Sequence, residues 1–299
     1  MNVTTIPHAL TIAGSDPSGG AGIQADLKTF SALGAYGCAV LTGLTAQSTR
    51  GVSGVHGVPA GFVREQVETL VEDMRIDAAK IGMLGTAAVA EEVGDLVRRT
   101  LDCPVVLDPV MVSTAGSRLL DEDAIDAVRA MLPAADLITP NLPEAAVLLG
   151  LEPDEAATDL AAMHDQARRL LDLGAARVLV KGGHVRAEAG DRASRDTASR
   201  GTASRGTASR DTENGEVVDV LALPGGEVHE LRGPRVRTAN THGTGCTLSS
   251  AIAALLPRRD GWLEAVSDAR TWLTGALQHA DRLSIGSGAG PVHHFYELW

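Results

Sequence analysis

The stretch Ala9 to Gly34, ALTIAGSDPSGGAGIQADLKTFSALG, carries the reading of the fold. It opens with a short apolar run, Ala9-Leu10-Thr11-Ile12-Ala13, of the length and type of a buried strand. A glycine-rich segment follows, and then Ile23, Leu27, Phe30 and Leu33 recur at the spacing of one helix face. Gly34 stands where a left-handed turn ends such a helix. Strand, glycine loop and helix in that order make one unit of a layered α/β fold.

The rest of the chain repeats the unit. Strand-type runs recur at Ala39 to Leu41, Ala79 to Met83, Val105 to Leu107, Leu137-Ile138 and Val178 to Val180. Val63, Val67, Leu70, Val71 and Met74 mark one helical face, and a helix over Thr247 to Leu256 is stopped by Pro257. Trp262, Ala265, Val266, Ala269, Leu273, Ala276, Leu277 and Ala280 mark a long final helix. This alternation predicts parallel strands joined by right-handed crossovers, helices on both sheet faces and a ligand site at the carboxyl edge of the sheet. Val217 to Leu221 and Val228 to Leu231 predict a strand pair, with Leu223 to Gly226 in the turn. No shift in composition divides the chain, so one domain is expected over residues 1–299. From Asp196 the chain reads DTASR, GTASR, GTASR and DT, which buries too little apolar surface to offset its ordering entropy. A mobile surface insertion is expected over residues 188–215.

The 299 residues carry 38 acidic and 26 basic side chains, a net charge of −12 that disfavours nucleic acid and anionic membranes as partners. A hydrophobic share of 44% with 21% charged residues excludes a disordered chain. Aromatic residues are only 3% beside 33 glycines, so the core must be built from small aliphatic side chains. No apolar run approaches the ~18 residues of a membrane span and no basic segment opens the chain, so a cytoplasmic protein is expected. Cys38, Cys103 and Cys246 are too widely spaced for a metal knuckle or a disulfide framework and are expected as free thiols.

An acidic protein that handles phosphate relies on backbone amides and a metal rather than on a basic patch. Two glycine segments qualify. Gly14 to Gly22 contains Gly20-Ala21-Gly22-Ile23-Gln24-Ala25, a formal match to the dinucleotide fingerprint. Its first glycine lies well beyond the strand, and no acidic residue near Val40 would hold a ribose, so a nicotinamide oxidoreductase is set aside. The second segment is Asn240-Thr241-His242-Gly243-Thr244-Gly245-Cys246. Gly243-Thr244-Gly245 at a helix start offers unpaired N–H groups and the positive dipole end, with no following lysine to make it a P-loop. A helix cap and an anion hole fit this spacing equally, and the adjoining Cys246 favours the anion hole. A thiol at a helix N-terminus is expected to have a lowered pKa.

Other candidates keep two readings on local grounds. Asp108 closes a strand, and Asn141 with Glu144 forms an N-x-x-E pair after Ile138; such oxygen donors suit Mg²⁺, while the pair also suits a helix cap. Asp26 serves either a substrate hydrogen bond or the helix dipole. Lys181 alone reads as a surface lysine, Gln47 as a turn residue, and Met83 and Val110 as core. His293 and His294 are adjacent, so on regular structure they face different directions, and no catalytic role is expected for them.

Taken together, TIAGSDPSGGAGIQADLKTFSALGAYG (Thr11 to Gly37), KIGML (Lys80 to Leu84), LITPNLPEA (Leu137 to Ala145), KGGH (Lys181 to His184), NTHGTGCTLS (Asn240 to Ser249) and GPVHHF (Gly290 to Phe295) resemble the hydroxymethylpyrimidine/phosphomethylpyrimidine kinases of thiamin biosynthesis, within the ribokinase-like superfamily. Sugar kinases of that superfamily place an aspartate where Cys246 stands. The resemblance implies a three-layer sandwich with a mainly parallel central sheet flanked by helices. It implies ATP-dependent phosphorylation of 4-amino-5-hydroxymethyl-2-methylpyrimidine and then of its monophosphate, with ATP as co-substrate, Mg²⁺ and a homodimer. Gly243, Thr244, Gly245 and Cys246 would form the catalytic segment. Gln47, Asp26, Met83, Val110 and Gly14 would surround the pyrimidine, Asn141, Lys181 and Thr241 the nucleotide, and Asp108 and Glu144 the metal. The Gln47 carboxamide offers one donor beside one acceptor, which suits an exocyclic amine next to a ring nitrogen. The DTASR repeat departs from the family, whose members carry a shorter connection near the nucleotide lid. The alternatives are a pyridoxal kinase of the same superfamily and a pyrimidine-binding regulator without catalysis.

Overall fold

The computed structural model describes residues 5–111, 119–121, 123–183 and 215–299. His184 and residues 188–214 of the expected insertion lie outside the described residues. The chain runs β1 (His8–Ser15), α1 (Gly22–Ala32), β2 (Tyr36–Ser48), β3 (Gly51–Gly57), α2 (Ala60–Asp73), β4 (Ala78–Ile81), α3 (Ala87–Arg99), β5 (Val105–Leu107), α4 (Ala124–Met131), β6 (Leu137–Ile138), α5 (Leu142–Leu148), α6 (Leu160–Asp172), β7 (Val178–Val180), β8 (Glu216–Ala222), β9 (Val228–Pro234), α7 (Thr244–Leu255) and α8 (Trp262–Gln278). These strands form one sheet in the order β3-β2-β1-β4-β5-β6-β7-β8-β9. The pairings from β2 through β7 are parallel, and those of β3, β8 and β9 are antiparallel.

Alternation along the strands builds two cores. Leu10, Ile12, Ile81, Leu107, Ile138 and Val180 face one way, toward Val63 and Val67 of α2, Val93 and Leu96 of α3 and Met163 and Leu170 of α6. Ala9, Ala78, Val106, Leu137 and Leu179 face the other way, toward Phe30 of α1, Leu248 and Ile252 of α7 and Val266 and Trp272 of α8. The result is the expected helix, sheet, helix sandwich with buried strands between two helical layers. Among the described residues no helix is long and apolar enough to cross a membrane, and the three cysteines are free.

One element differs from the sequence reading. The strand begun at Ala39 does not stop at Leu41 but continues to Ser48 and returns as β3, an antiparallel flap at the sheet edge. Leu44, Ala46 and Ser48 are exposed there, and so is most of β3, so the hairpin lacks the half-buried alternation that marks a strand in sequence. A register shift between Ala46 and Gln47 re-aims the side chains at that point. Gln47 thus sits on a strand rather than in a turn.

The C-terminal segment packs a histidine against α7. His294 is buried, with its ring Nε2 3.1 Å from Thr247 Oγ1. Burial pushes its pKa down to about 3, so the folded protein keeps it neutral. The unfolded chain binds this proton below about pH 6.5, so the stability held above that pH is lost as the pH falls toward 3. Urea midpoints measured from pH 7 to pH 4 are expected to fall more steeply for the parent protein than for His294→Gln. Parallel curves would remove His294 as the cause.

Candidate active site

The carboxyl edge of the parallel strands collects the polar residues. Asp108 directly follows β5, Lys181 follows β7, and Asn141 and Glu144 open α5 after β6. Lys181 Nζ lies 2.8 Å from Asp108 Oδ1 and 4.0 Å from Glu144 Oε2. Thr139 Oγ1 donates to Asp108 Oδ1 at 3.0 Å, and Ser249 Oγ donates to Oδ2 at 3.3 Å. Lys181 is therefore an enclosed, ion-paired residue and not a surface lysine. Burial alone would raise the Asp108 pKa, but Lys181 and Lys80 hold it below the usual carboxylate value. Burial, with help from the Asp108 charge, pushes Glu144 up to about 7. Asn141 and Glu144 also form a reciprocal cap, Glu144 N to Asn141 Oδ1 at 2.9 Å and Asn141 N to Glu144 Oε2 at 2.8 Å, so the capping reading is realised in the residues that face Lys181.

The start of α7 closes against this cluster. Gly243 has φ of 75°, and a Cβ there would collide with the carbonyl of Gly20, so only glycine serves. Thr244 Oγ1 donates to the Thr241 carbonyl at 2.7 Å and holds the turn. A Cβ on Gly245 would stand 3.3 Å from Lys181 Nζ and 3.6 Å from Asp108 Oδ2. The N-terminal amides of α7 thus adjoin the Lys181 ammonium, which combines a helix dipole with a fixed positive charge.

Cys246 corrects one expectation. Its thiol is not lowered by the helix end; burial pushes it up to about 11, although Lys80 and the Gly22 N–H act to lower it. Asp26 and Asp108 add to the rise. The charge beneath it comes from a pair that local reading missed. Lys80 on β4 is fully buried and lies 2.9 Å from Asp26 Oδ2 and 3.0 Å from Oδ1. Thr11 Oγ1 donates to Asp26 at 2.6 Å, and Ser250 Oγ of α7 donates at 2.5 Å. Asp26 is therefore neither an exposed dipole charge nor an open acceptor for substrate: its oxygens are occupied and it lies in the floor of the site. Lys80 had no sequence signal beyond its place in an apolar run, where an unpaired lysine would be costly.

The residues expected around the acceptor stand near the carboxyl ends of β1, β2 and β4 and just after β5. Met83 follows β4, its carbonyl accepts from Thr42 Oγ1 at 2.6 Å, and its sulfur would lie 3.2 Å from a Cβ on Gly14. Val110 N donates to the Asp108 carbonyl at 2.8 Å, which ties this segment to the acidic cluster. The Gln47 side chain reaches across to His242, 3.4 Å away, and His242 lies 2.7 Å from Asp16. Sequence reading passed over Asp16 and His242, although both lie inside glycine segments already singled out. Cys246 lies in the field of Lys80, Asp26 and Asp108 and beside the Gly22 N–H, and Gly22 in turn packs against Gly14, as Gly243 does against Gly20.

The family model described as phosphomethylpyrimidine kinase matches residues 16–293. The hydroxymethylpyrimidine/phosphomethylpyrimidine kinase of Escherichia coli is 47% identical over 293 residues, covering 98% of each chain. Among solved structures, the pyridoxal kinase of Bacillus subtilis in its ADP complex superposes with a TM-score of 0.78 at 31% identity, covering 97% of this chain and 98% of the other. The phosphomethylpyrimidine kinase of Clostridium difficile gives a TM-score of 0.69 at 34% identity, covering 91% and 99%. With a family match across almost its whole length and close full-length relatives, the chain belongs to the phosphomethylpyrimidine kinase family.

Proposed function

We propose that this protein transfers the γ-phosphoryl group of ATP to 4-amino-5-hydroxymethyl-2-methylpyrimidine and then to the resulting monophosphate, as a step toward thiamin diphosphate. The observation that carries the reading is the Lys181–Asp108 pair beside the start of α7, with Gln47 reaching His242 just ahead of the same helix. The nucleotide lies along the carboxyl edge, past Asn141, Thr241 and Lys181. Lys181 and the amides of Gly243 and Gly245 hold the transferred phosphoryl oxygens where negative charge builds up, while Thr244, expected among them, spends its N–H on the Thr241 carbonyl at 3.3 Å and shapes the turn. Gln47 pairs with the amine and ring nitrogen of the pyrimidine, while Gly14, Met83 and Val110 form the apolar walls.

The donor chemistry fits Mg²⁺. Asp108 and Glu144 are hard oxygen ligands beside Lys181, and among the described residues no three metal-binding side chains gather into a cage. That pattern suits an ion held by one or two carboxylates, water and substrate phosphates. When bound, Mg²⁺ supplies charge neutralisation at the phosphate oxygens. With a pKa near 11, Cys246 stays a thiol at neutral pH and orients the acceptor hydroxyl by hydrogen bonding rather than acting as a standing thiolate. Phosphoryl transfer through a loose transition state asks for positioning more than for a strong base. The acidic chain and its lack of a membrane-crossing helix among the described residues support a cytoplasmic setting. The exposed Leu44 and Val55 on the β2–β3 flap support a homodimer that covers them.

The test is ADP release with Mg·ATP and three acceptors in parallel, the hydroxymethylpyrimidine, its monophosphate and pyridoxal, with product masses read at the end. Diphosphate formed from both pyrimidines with little pyridoxal turnover supports the reading. Preference for pyridoxal would replace it with a vitamin B6 kinase, and no turnover with any acceptor would favour a binding protein. Gln47→Ala is expected to raise KM for the pyrimidine roughly 10- to 100-fold and to leave KM for ATP unchanged. Equal effects on both would remove the direct contact.

A further inference from the structure

A hydrogen-bond chain that phosphoryl transfer does not use runs behind the Gln47 amide. Asp16, buried just after β1, accepts from Ser18 N at 2.8 Å, Ser18 Oγ at 2.9 Å and Ala21 N at 2.9 Å. Burial alone would raise its pKa, but the His242 and Ser18 hydrogen bonds outweigh that and hold it low. A carboxylate only accepts, so His242 Nε2, 2.7 Å away, carries the proton of that contact.

The same ring nitrogen lies 3.4 Å from Gln47 Nε2, while Gln47 Oε1 lies 3.1 Å from Thr45 Oγ1. Thr45 has one hydroxyl proton, and the Ser15 carbonyl at 2.9 Å takes it. In this sense of the amide, N–H faces N–H and lone pair faces lone pair. A half-turn about the Cγ–Cδ bond leaves the side chain in place and removes both conflicts: oxygen faces the His242 Nε2–H, which it shares with Asp16, and nitrogen donates to Thr45 Oγ1. The His242 ring is itself fixed: its backbone N donates to the Gly290 carbonyl at 3.0 Å, and the ring lies so close over Gly20 that a Cβ there would collide with it.

We propose that Asp16 and His242 are positioning residues that lock the Gln47 carboxamide in this sense and thereby decide which pyrimidine edge the site reads. The inference rests on the reading of Gln47 as the pyrimidine contact. A 4-aminopyrimidine presents an N–H beside a ring-nitrogen acceptor, whereas its 4-oxo analogue presents a carbonyl beside a ring N–H. A carboxamide free to rotate serves both edges, and a locked one serves a single edge. The lock also fixes the side on which the 5-hydroxymethyl group, next to C4, emerges toward Cys246.

The experiment compares kcat/KM for the 4-amino and 4-oxo hydroxymethylpyrimidines across variants, with ADP binding and thermal melting confirming the fold. His242→Phe, which keeps a ring and loses the donor, is expected to lower the 4-amino preference roughly 10- to 100-fold with KM for ATP unchanged. Asp16→Asn puts a donor opposite the ring, lets Nε2 become an acceptor and is expected to shift preference toward the 4-oxo compound. His242→Gln has one amide proton for Asp16 and one for Gln47 and is expected to return the preference to within a few-fold of the parent. Where a loop variant does not fold, Thr45→Val on the exposed flap removes the other neighbour of the amide, with the same direction of loss expected. An unchanged preference in folded His242→Phe, Asp16→Asn or Thr45→Val, with Gln47→Ala abolishing it, overturns the lock and leaves the Gln47 contact standing. An unchanged preference and pyrimidine KM in Gln47→Ala overturns the contact itself.

Discussion

Lys80→Met is expected to lower the unfolding free energy by roughly 3–5 kcal/mol, because it strands the Asp26 carboxylate in the interior without its counter-charge. Lys80 and Asp26 are both fully buried, and Thr11 and Ser250 cannot replace an ammonium with two hydroxyl donors. The pairing is prepared by the sheet, since Thr11 on β1 and Lys80 on β4 are direct neighbours in register. Urea denaturation checks the prediction. Adding Asp26→Leu to Lys80→Met should recover much of the loss, because two apolar groups no longer leave a lone charge. A loss near zero for the single variant would mean that water reaches Asp26 and that the pair does not hold the floor of the site.

Cys246→Ala is expected to lower kcat on the order of 10²–10³-fold, with KM for both substrates within a few-fold, as befits a group that orients the acceptor in the transition state. Cys246→Ser keeps a polar hydrogen at the same place and should retain a large share of the rate. The pH profile separates orientation from base catalysis. With the thiol pushed up to about 11, no thiolate-dependent rise in kcat is expected between pH 7 and pH 9. A resting thiolate base with that pKa would instead raise kcat about tenfold per pH unit through this range. Such a rise would restore the base role.

The Ala9 to Gly34 unit and its repeats were legible because a buried parallel strand is a short apolar run and a covering helix shows one apolar face. The β2–β3 flap was not, because Ser53 to Gly57 is exposed and the strand takes its extended form from pairing with β2. Cys246 was legible as a candidate from its place after Gly243-Thr244-Gly245. Its titration was not, because the burial that sets it comes from α1 and the glycine loop folding over α7. Lys80 looked like part of a strand, and only the tertiary fold brings it to Asp26. Asp16 and His242 lay in quoted motifs, yet their meaning is a contact across most of the chain. Asn141 and Glu144 were legible as a cap, and the same Glu144 also faces Lys181.

The helices that cover the Ala9, Ala78, Val106, Leu137 and Leu179 face of the sheet include the last two of the chain. During synthesis from the amino end, every parallel strand has left the ribosome before α7 and α8 exist to shield that face. Ser250, Cys246 and His242 arrive with them, so until then that face is covered only by α1 and the candidate site lacks these residues. The candidate site and the covering of this face are therefore completed together, after every parallel strand has been made. A chain released before α7 leaves much of that apolar face open to other chains, with the start of α7 missing from the carboxyl edge.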